Sequence, residues 1–202
     1  ERPSAPESAG WSRRERSGLT CLRGDPVKYL IDFTALALLY AFVFFKKWRA
    51  RGRDVLLVNT LMYGYLSLVL FVTLMPVIPA LPFVFDHPYV PMNLVPFIDV
   101  SAGRGDFMRQ VVLNVIMTVP FGFLFPLTRN RHAGFITTVW FCFWMSLGIE
   151  LLQPLFHGFR SSDVTDLITN VAGGVLGYVL HLLCRPVTYP VLARLRAGNS
   201  HP

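Results

Sequence analysis

Five apolar runs, at 27–45, 55–75, 111–127, 133–156 and 167–184, divide this chain. Each approaches the roughly 20 residues that an α-helix needs to cross about 30 Å of hydrocarbon. Lipid offers a backbone no hydrogen-bond partner, so each run must be helical. With 53% hydrophobic and 15% charged residues over 202 positions, too little polar surface is left to clothe a water-soluble globule. The expected fold is all-α: an integral membrane protein, a bundle of about five transmembrane helices with a Pro-rich outer loop, lodged as a multi-pass protein in the cell membrane.

A net charge of +7 would suit nucleic acid in a soluble protein. Here the basic residues cluster beside the apolar runs, where they set membrane orientation instead, and no nucleic-acid partner is expected. Lys46, Lys47, Arg49, Arg51 and Arg53 join the first two spans, Arg129 and Arg131 the third and fourth, and Arg185, Arg194 and Arg196 follow the fifth. The alternate connections carry only Arg104, Arg109 and Arg160, so the richer side should be cytoplasmic. Residues 1–26, rich in Arg, Ser, Pro and Gly, read as a basic disordered tail. Five spans place that tail outside despite its arginines: either the first segment, with Asp32, fails to cross cleanly or the larger cluster at 46–53 overrides the tail, and the second explanation is favoured. The first run ends in Phe44-Phe45-Lys46-Lys47 without a small-residue cleavage site, so it is expected to be a retained helix, although it contains Asp32.

The connection 76–106 holds Pro76, Pro79, Pro82, Pro88, Pro91 and Pro96, which excludes a sixth span. Its apolar piece 77–85 should lie at the interface or re-enter, covering one mouth of the bundle. Cys21, Cys142 and Cys184 form no close pair, and the five histidines are scattered, so neither a disulfide framework nor a metal site is expected. No cofactor is implied.

Ionisable side chains inside a span cost about 2.5 to 3.5 kcal/mol at a helix centre and ask for an explanation. Glu150 shares one helix face with Ser146 and Gln153. The next helix begins near Arg160-Ser161-Ser162-Asp163, and Asp163, Asp166, Asn170, Gly173, Gly174 and Gly177 step by three or four along one face. Capping and close helix packing account for the glycines and one aspartate. They account less well for Arg160, Glu150 and a second aspartate gathered on one side of the membrane. The third span adds Asn114, Thr118 and Phe121 around Pro120 and Gly122, and Asn93 precedes Pro96-Phe97 in the outer loop. These groups can converge on a cavity open to the outer leaflet.

Four motifs occur in order: Asn93-Leu94-Val95-Pro96-Phe97; Asn114 with Pro120-Phe121-Gly122; Glu150-x-x-Gln153; and Arg160-x-x-Asp163-x-x-Asp166-x-x-x-Asn170-x-x-Gly173. In this set the chain resembles the VanZ-like family of small membrane proteins. The resemblance assigns 55–185 to a VanZ-like membrane domain, leaving 1–26 as tail, 27–54 as an added helix and basic loop, and 186–202 as a cytoplasmic tail. It implies a bacterial cell-envelope protein, with a link to glycopeptide (teicoplanin) resistance, and it supplies no reaction.

Three functions compete. In the first, a lipid headgroup or lipid-linked envelope precursor binds in the outer-facing polar cavity, held by Asn93, Asn114, Glu150, Gln153, Arg160, Asp163, Asp166 and Asn170, with the Arg160 fork on phosphate or carboxylate. In the second, a membrane-embedded hydrolase or transferase uses Glu150, Asp163 or Asp166 as general base and Arg160 as anion stabiliser. In the third, a small transporter relays protons through the acids, or a docking protein offers its glycine stripe to a partner membrane protein. Membrane lipids are partners in all three.

Overall fold

The computed structural model describes residues 26–86, 88–97, 107–129, 133–156 and 162–197. The tail 1–25, Arg104, Arg131, His157 and Arg160 lie outside the described residues. Five helices are long and apolar enough to cross a membrane: α1 (Pro26–Arg49), α2 (Arg53–Thr73), α3 (Phe107–Thr128), α4 (Phe135–Phe156) and α5 (Val164–Ala197). A 3₁₀ segment, Ile78–Phe83, follows α2 in the Pro-rich connection, where proline spacing forbids a longer helix.

Two ends of the bundle can be told apart. At the basic end, Arg196 near the close of α5 pairs with Asp54 in the first turn of α2, at 3.0 Å. The turn at 50–52, with Gly52 at φ 127°, therefore sits beside the end of α5. At the Pro-rich end, Asp32 of α1 is 3% exposed, and its carboxylate accepts the backbone N–H groups of Val77 (2.7 Å) and Ile78 (2.9 Å). An acid inside the first span thus crosses with its charge engaged by the donors at the start of the 3₁₀ segment.

Helix α1 leans on α2 through aromatic rings and two hydroxyls. Tyr40 shares a hydrogen bond with Thr60 (2.8 Å), and Tyr63 donates to the Leu36 carbonyl (2.7 Å) beside a wide π-helical turn at Tyr40–Phe45. Pro120 sits within α3 without breaking it, and Tyr65 donates to the neighbouring Met117 carbonyl (2.9 Å), a polar partner that lipid could not offer.

Helices α3 and α5 run parallel, as the pairs Asn114–Asp166, Thr118–Asn170 and Val119–Gly177 show by advancing along both together. A side-chain carbon at Gly173 or Gly177 would overlap the Val115 or Val119 carbonyl, and one at Gly122 the Gly174 carbonyl. The glycine stripe is therefore filled by this chain's own third span, with Gly174 facing Cys142 of α4, and does not present an open face to a second protein. The apolar core of Met62, Phe121, Phe125, Ala133 and Cys142 lies among α2, α3 and α4.

Helix α5 departs from the sequence expectation. It does not stop near Cys184 but continues through Pro186 and Pro190 to Ala197, so most of the segment assigned to a tail is helix. At 1.5 Å per residue such a helix outruns the hydrocarbon. The extension is held by the Asp54–Arg196 pair, by Arg185 over the Tyr189 ring, and by Tyr189 against the buried His181.

Candidate functional site

The polar residues of three spans and the Pro-rich loop meet around the first turn of α5. Asp163 caps this helix: its carboxylate accepts the Thr165 N–H at 2.7 Å and the Asn93 side-chain amide at 3.1 Å. An acid suits that position because the first-turn N–H groups have no partner within the helix and carry partial positive charge. The loop is stitched to the same turn by main chain, with Asn93 N–H donating to the Ser162 carbonyl (2.9 Å) and Val164 N–H to the Asn93 carbonyl (3.0 Å), a short parallel bridge. Phe97 N–H, on a residue with φ 57°, donates to the Thr165 hydroxyl (2.9 Å).

One helical turn deeper, Asp166 is gripped by two amides of α3, Asn114 at 2.7 Å and Gln110 at 3.0 Å. Glu150 of α4 is 2% exposed and accepts the Asp163 N–H at 3.3 Å, while the Ser162 hydroxyl donates to the Glu150 main-chain carbonyl. Asn170 forms the floor. Its carbonyl accepts the Thr118 hydroxyl (2.7 Å) and the Cys142 thiol (3.6 Å), and its side-chain amide donates to Ser146 (2.8 Å). The Asn170 side-chain oxygen is buried without a partner among the described residues. Gln153 is buried one turn beyond Glu150, and its amide joins none of these bonds.

Of the eight residues singled out in the sequence, seven are described. Asn93, Asn114, Glu150, Asp163, Asp166 and Asn170 join one hydrogen-bonded layer, Gln153 borders it, and Arg160 lies outside the described residues. Three carboxylates surround one helix start, each engaged by donors, and the half-buried Asn93, Asn114 and Asp163 form its more open side. Such a layer can offer fixed acceptors to hydroxyl or ammonium groups at the membrane surface. Sequence reasoning missed Gln110 and Thr165 as members of this layer, and it named Ser162 only within the stretch that starts α5. Gln110 was within reach of the spacing argument, because it stands one turn before Asn114 on the same face. Among the described residues, no three His, Cys, Asp or Glu side chains are grouped as metal ligands would be.

The chain matches the VanZ/LLP1 family over residues 32–185. It belongs to this family. The match opens at Asp32 itself, inside α1, and so takes in most of a span that the four motifs leave aside. The chain is similar to "Protein VanZ" of Enterococcus faecium, 36% identical over 98 residues, which cover 48% of this chain and 56% of that protein. This chain thus spans little more than half the length of the curated relative it matches. No solved structure matches it. Family and fold together make this a multi-pass membrane protein of the VanZ/LLP1 type.

Proposed function

We propose that this VanZ/LLP1-family protein acts at the cell envelope by binding the headgroup of a lipid, or of a lipid-linked envelope precursor, in the polar layer at the Pro-rich end. Lys46, Lys47 and Arg49 at the opposite end orient that layer outward by the positive-inside rule. The observation carrying this reading is the gathering of Glu150, Asp163 and Asp166 with the amides of Asn93, Gln110 and Asn114 where α3 and α5 begin and α4 ends. Three acids at one membrane face exceed what capping one helix requires, and their half-buried neighbours give a polar headgroup something to hold. Arg160, which lies outside the described residues, is the candidate for the anion contact on this reading, and protection against teicoplanin is its expected envelope phenotype.

Binding is read ahead of general-base catalysis because Asp163 and Asp166, each held by a donor on both carboxylate oxygens, are fixed in place with lone pairs still open to a ligand's donors. The test is expression in a teicoplanin-susceptible host. Wild-type protein should raise the inhibitory concentration; Asp163→Asn and Glu150→Gln, at equal membrane abundance, should remove the increase. Unchanged protection by both variants would rule the layer out as the binding site.

A further inference from the structure

The Pro-rich loop holds one strained residue, and it stands against the polar layer. Phe97 has φ 57°, in the left-handed region where the Cβ of a bulky side chain crowds the next carbonyl. Among the described residues no other non-glycine has a positive φ. Such a conformation persists only where its surroundings hold it. Here the Phe97 N–H donates to the Thr165 hydroxyl at 2.9 Å, and the Thr165 N–H donates to the Asp163 carboxylate at 2.7 Å. Phe97 is thus tied, through one residue, to the acid that caps α5.

The strain does not serve to bury the ring, since Phe97 is 40% exposed. Its neighbours point to what it faces. Asn93 is bridged to the start of α5 and turns its amide onto Asp163, at 3.1 Å. Successive side chains of an extended segment point to opposite sides, so Leu94 turns away from the acids and is 73% exposed; Val95 is 54% exposed. One polar member of this stretch therefore lies on the acid layer, with three apolar members beside it. A loop that merely rested at the membrane surface would need apolar side chains. It would not need a left-handed backbone at one of them, fixed to the helix cap. Strain kept at such a place marks a binding role.

We propose that Phe97, flanked by Leu94 and Val95, is a specificity-determining residue of the polar layer and contacts the hydrocarbon chain of a lipid whose headgroup lies on Asn93 and Asp163. The proposal rests on the headgroup reading of the layer and adds what selects a membrane lipid over a soluble molecule with the same headgroup.

The experiment is native mass spectrometry of the full chain released from nanodiscs of equal phosphatidylglycerol and phosphatidylethanolamine. The wild type should retain one lipid, and Asp163→Asn should reduce that adduct about tenfold, which marks it as bound at the layer. Phe97→Ala and Phe97→Gly should each reduce it about tenfold, the loss expected when one aromatic contact with hydrocarbon is removed. Phe97→Leu, which keeps hydrocarbon at the position, should keep most of it. In detergent unfolding the glycine variant should exceed the alanine variant about fivefold in folded-to-unfolded ratio, because only glycine takes the left-handed region without strain. Retention then follows the ring, and stability follows the backbone. An unchanged adduct in Phe97→Ala, a loss in Phe97→Leu as large as in Phe97→Ala, retention restored by glycine, or equal stability of the alanine and glycine variants would each overturn the proposal. An adduct lost in Asp163→Asn but kept in Phe97→Ala would sink the chain contact and leave the headgroup reading standing. The reverse pattern would sink the headgroup reading, and no adduct in the wild type would sink both.

Discussion

Replacing Gly177 by alanine should loosen the bundle, while the same replacement at Gly148 should tighten it. In a helix interior alanine is favoured over glycine by about 1 kcal/mol. At Gly148 and Gly64 an added methyl meets nothing within 4 Å, so that gain should appear nearly whole. At Gly177 the methyl would overlap the Val119 carbonyl. A main-chain carbonyl cannot rotate out of the way, so α3 and α5 must part. Overpacking of this kind costs about 1 to 3 kcal/mol, and loss of the neighbouring Thr118–Asn170 bond adds about 1 kcal/mol more. Net of the propensity gain, Gly177→Ala should lose about 2 kcal/mol, and the two variants should differ by about 3 kcal/mol, on the order of a hundredfold in the folded-to-unfolded ratio. Titration of each purified variant with a denaturing detergent, followed by tryptophan fluorescence, measures this directly. Equal midpoints for Gly177→Ala and Gly148→Ala would refute the close parallel contact of α3 with α5.

Asp32→Ala should leave the Val77 and Ile78 amides without their acceptor, and hydrogen exchange at these two positions should quicken by at least about tenfold. A double-mutant cycle of Asn114→Ala with Asp166→Ala should give a coupling of about 1.5 to 3 kcal/mol, as expected for a charge-assisted bond away from bulk water; a coupling near zero would detach α3 from the site. Arg196→Ala should change stability by less than about 1 kcal/mol, and the change should shrink in high salt, because the Arg196 side chain is 64% exposed.

Asp32 and Asn93 mark the limit of what can be read along the chain. Asp32 is visible as an acid in an apolar run, and its expense in lipid is known from its chemistry alone. That its partners are the N–H groups of residues 77 and 78 depends on how α1 lies against a loop beyond the next span. Asn93 falls in a motif, yet nothing local to it announces a main-chain bridge to Ser162 and Val164. The glycine stripe was legible as a contact face because its period is helical; the identity of the helix filling it was not. Prolines at 186 and 190 argue locally for an end to α5, yet the helix continues to Ala197 because the packing of His181, Tyr189 and Arg196 holds its last turns together.

The sequence by itself determined that five helices cross a membrane, where each span lies, and which polar residues needed partners there. It could do so because the bilayer imposes a fixed length and an obligatory helix on every apolar run, both countable along one dimension. Only the tertiary structure decided who those partners are: α3 alongside α5, the loop at Asn93 on the cap at Asp163, and Asp32 under the 3₁₀ segment. Hydrogen-bond donors and acceptors act over about 3 Å. Which of them come within that reach is settled by how the helices pack, a property that no single segment carries.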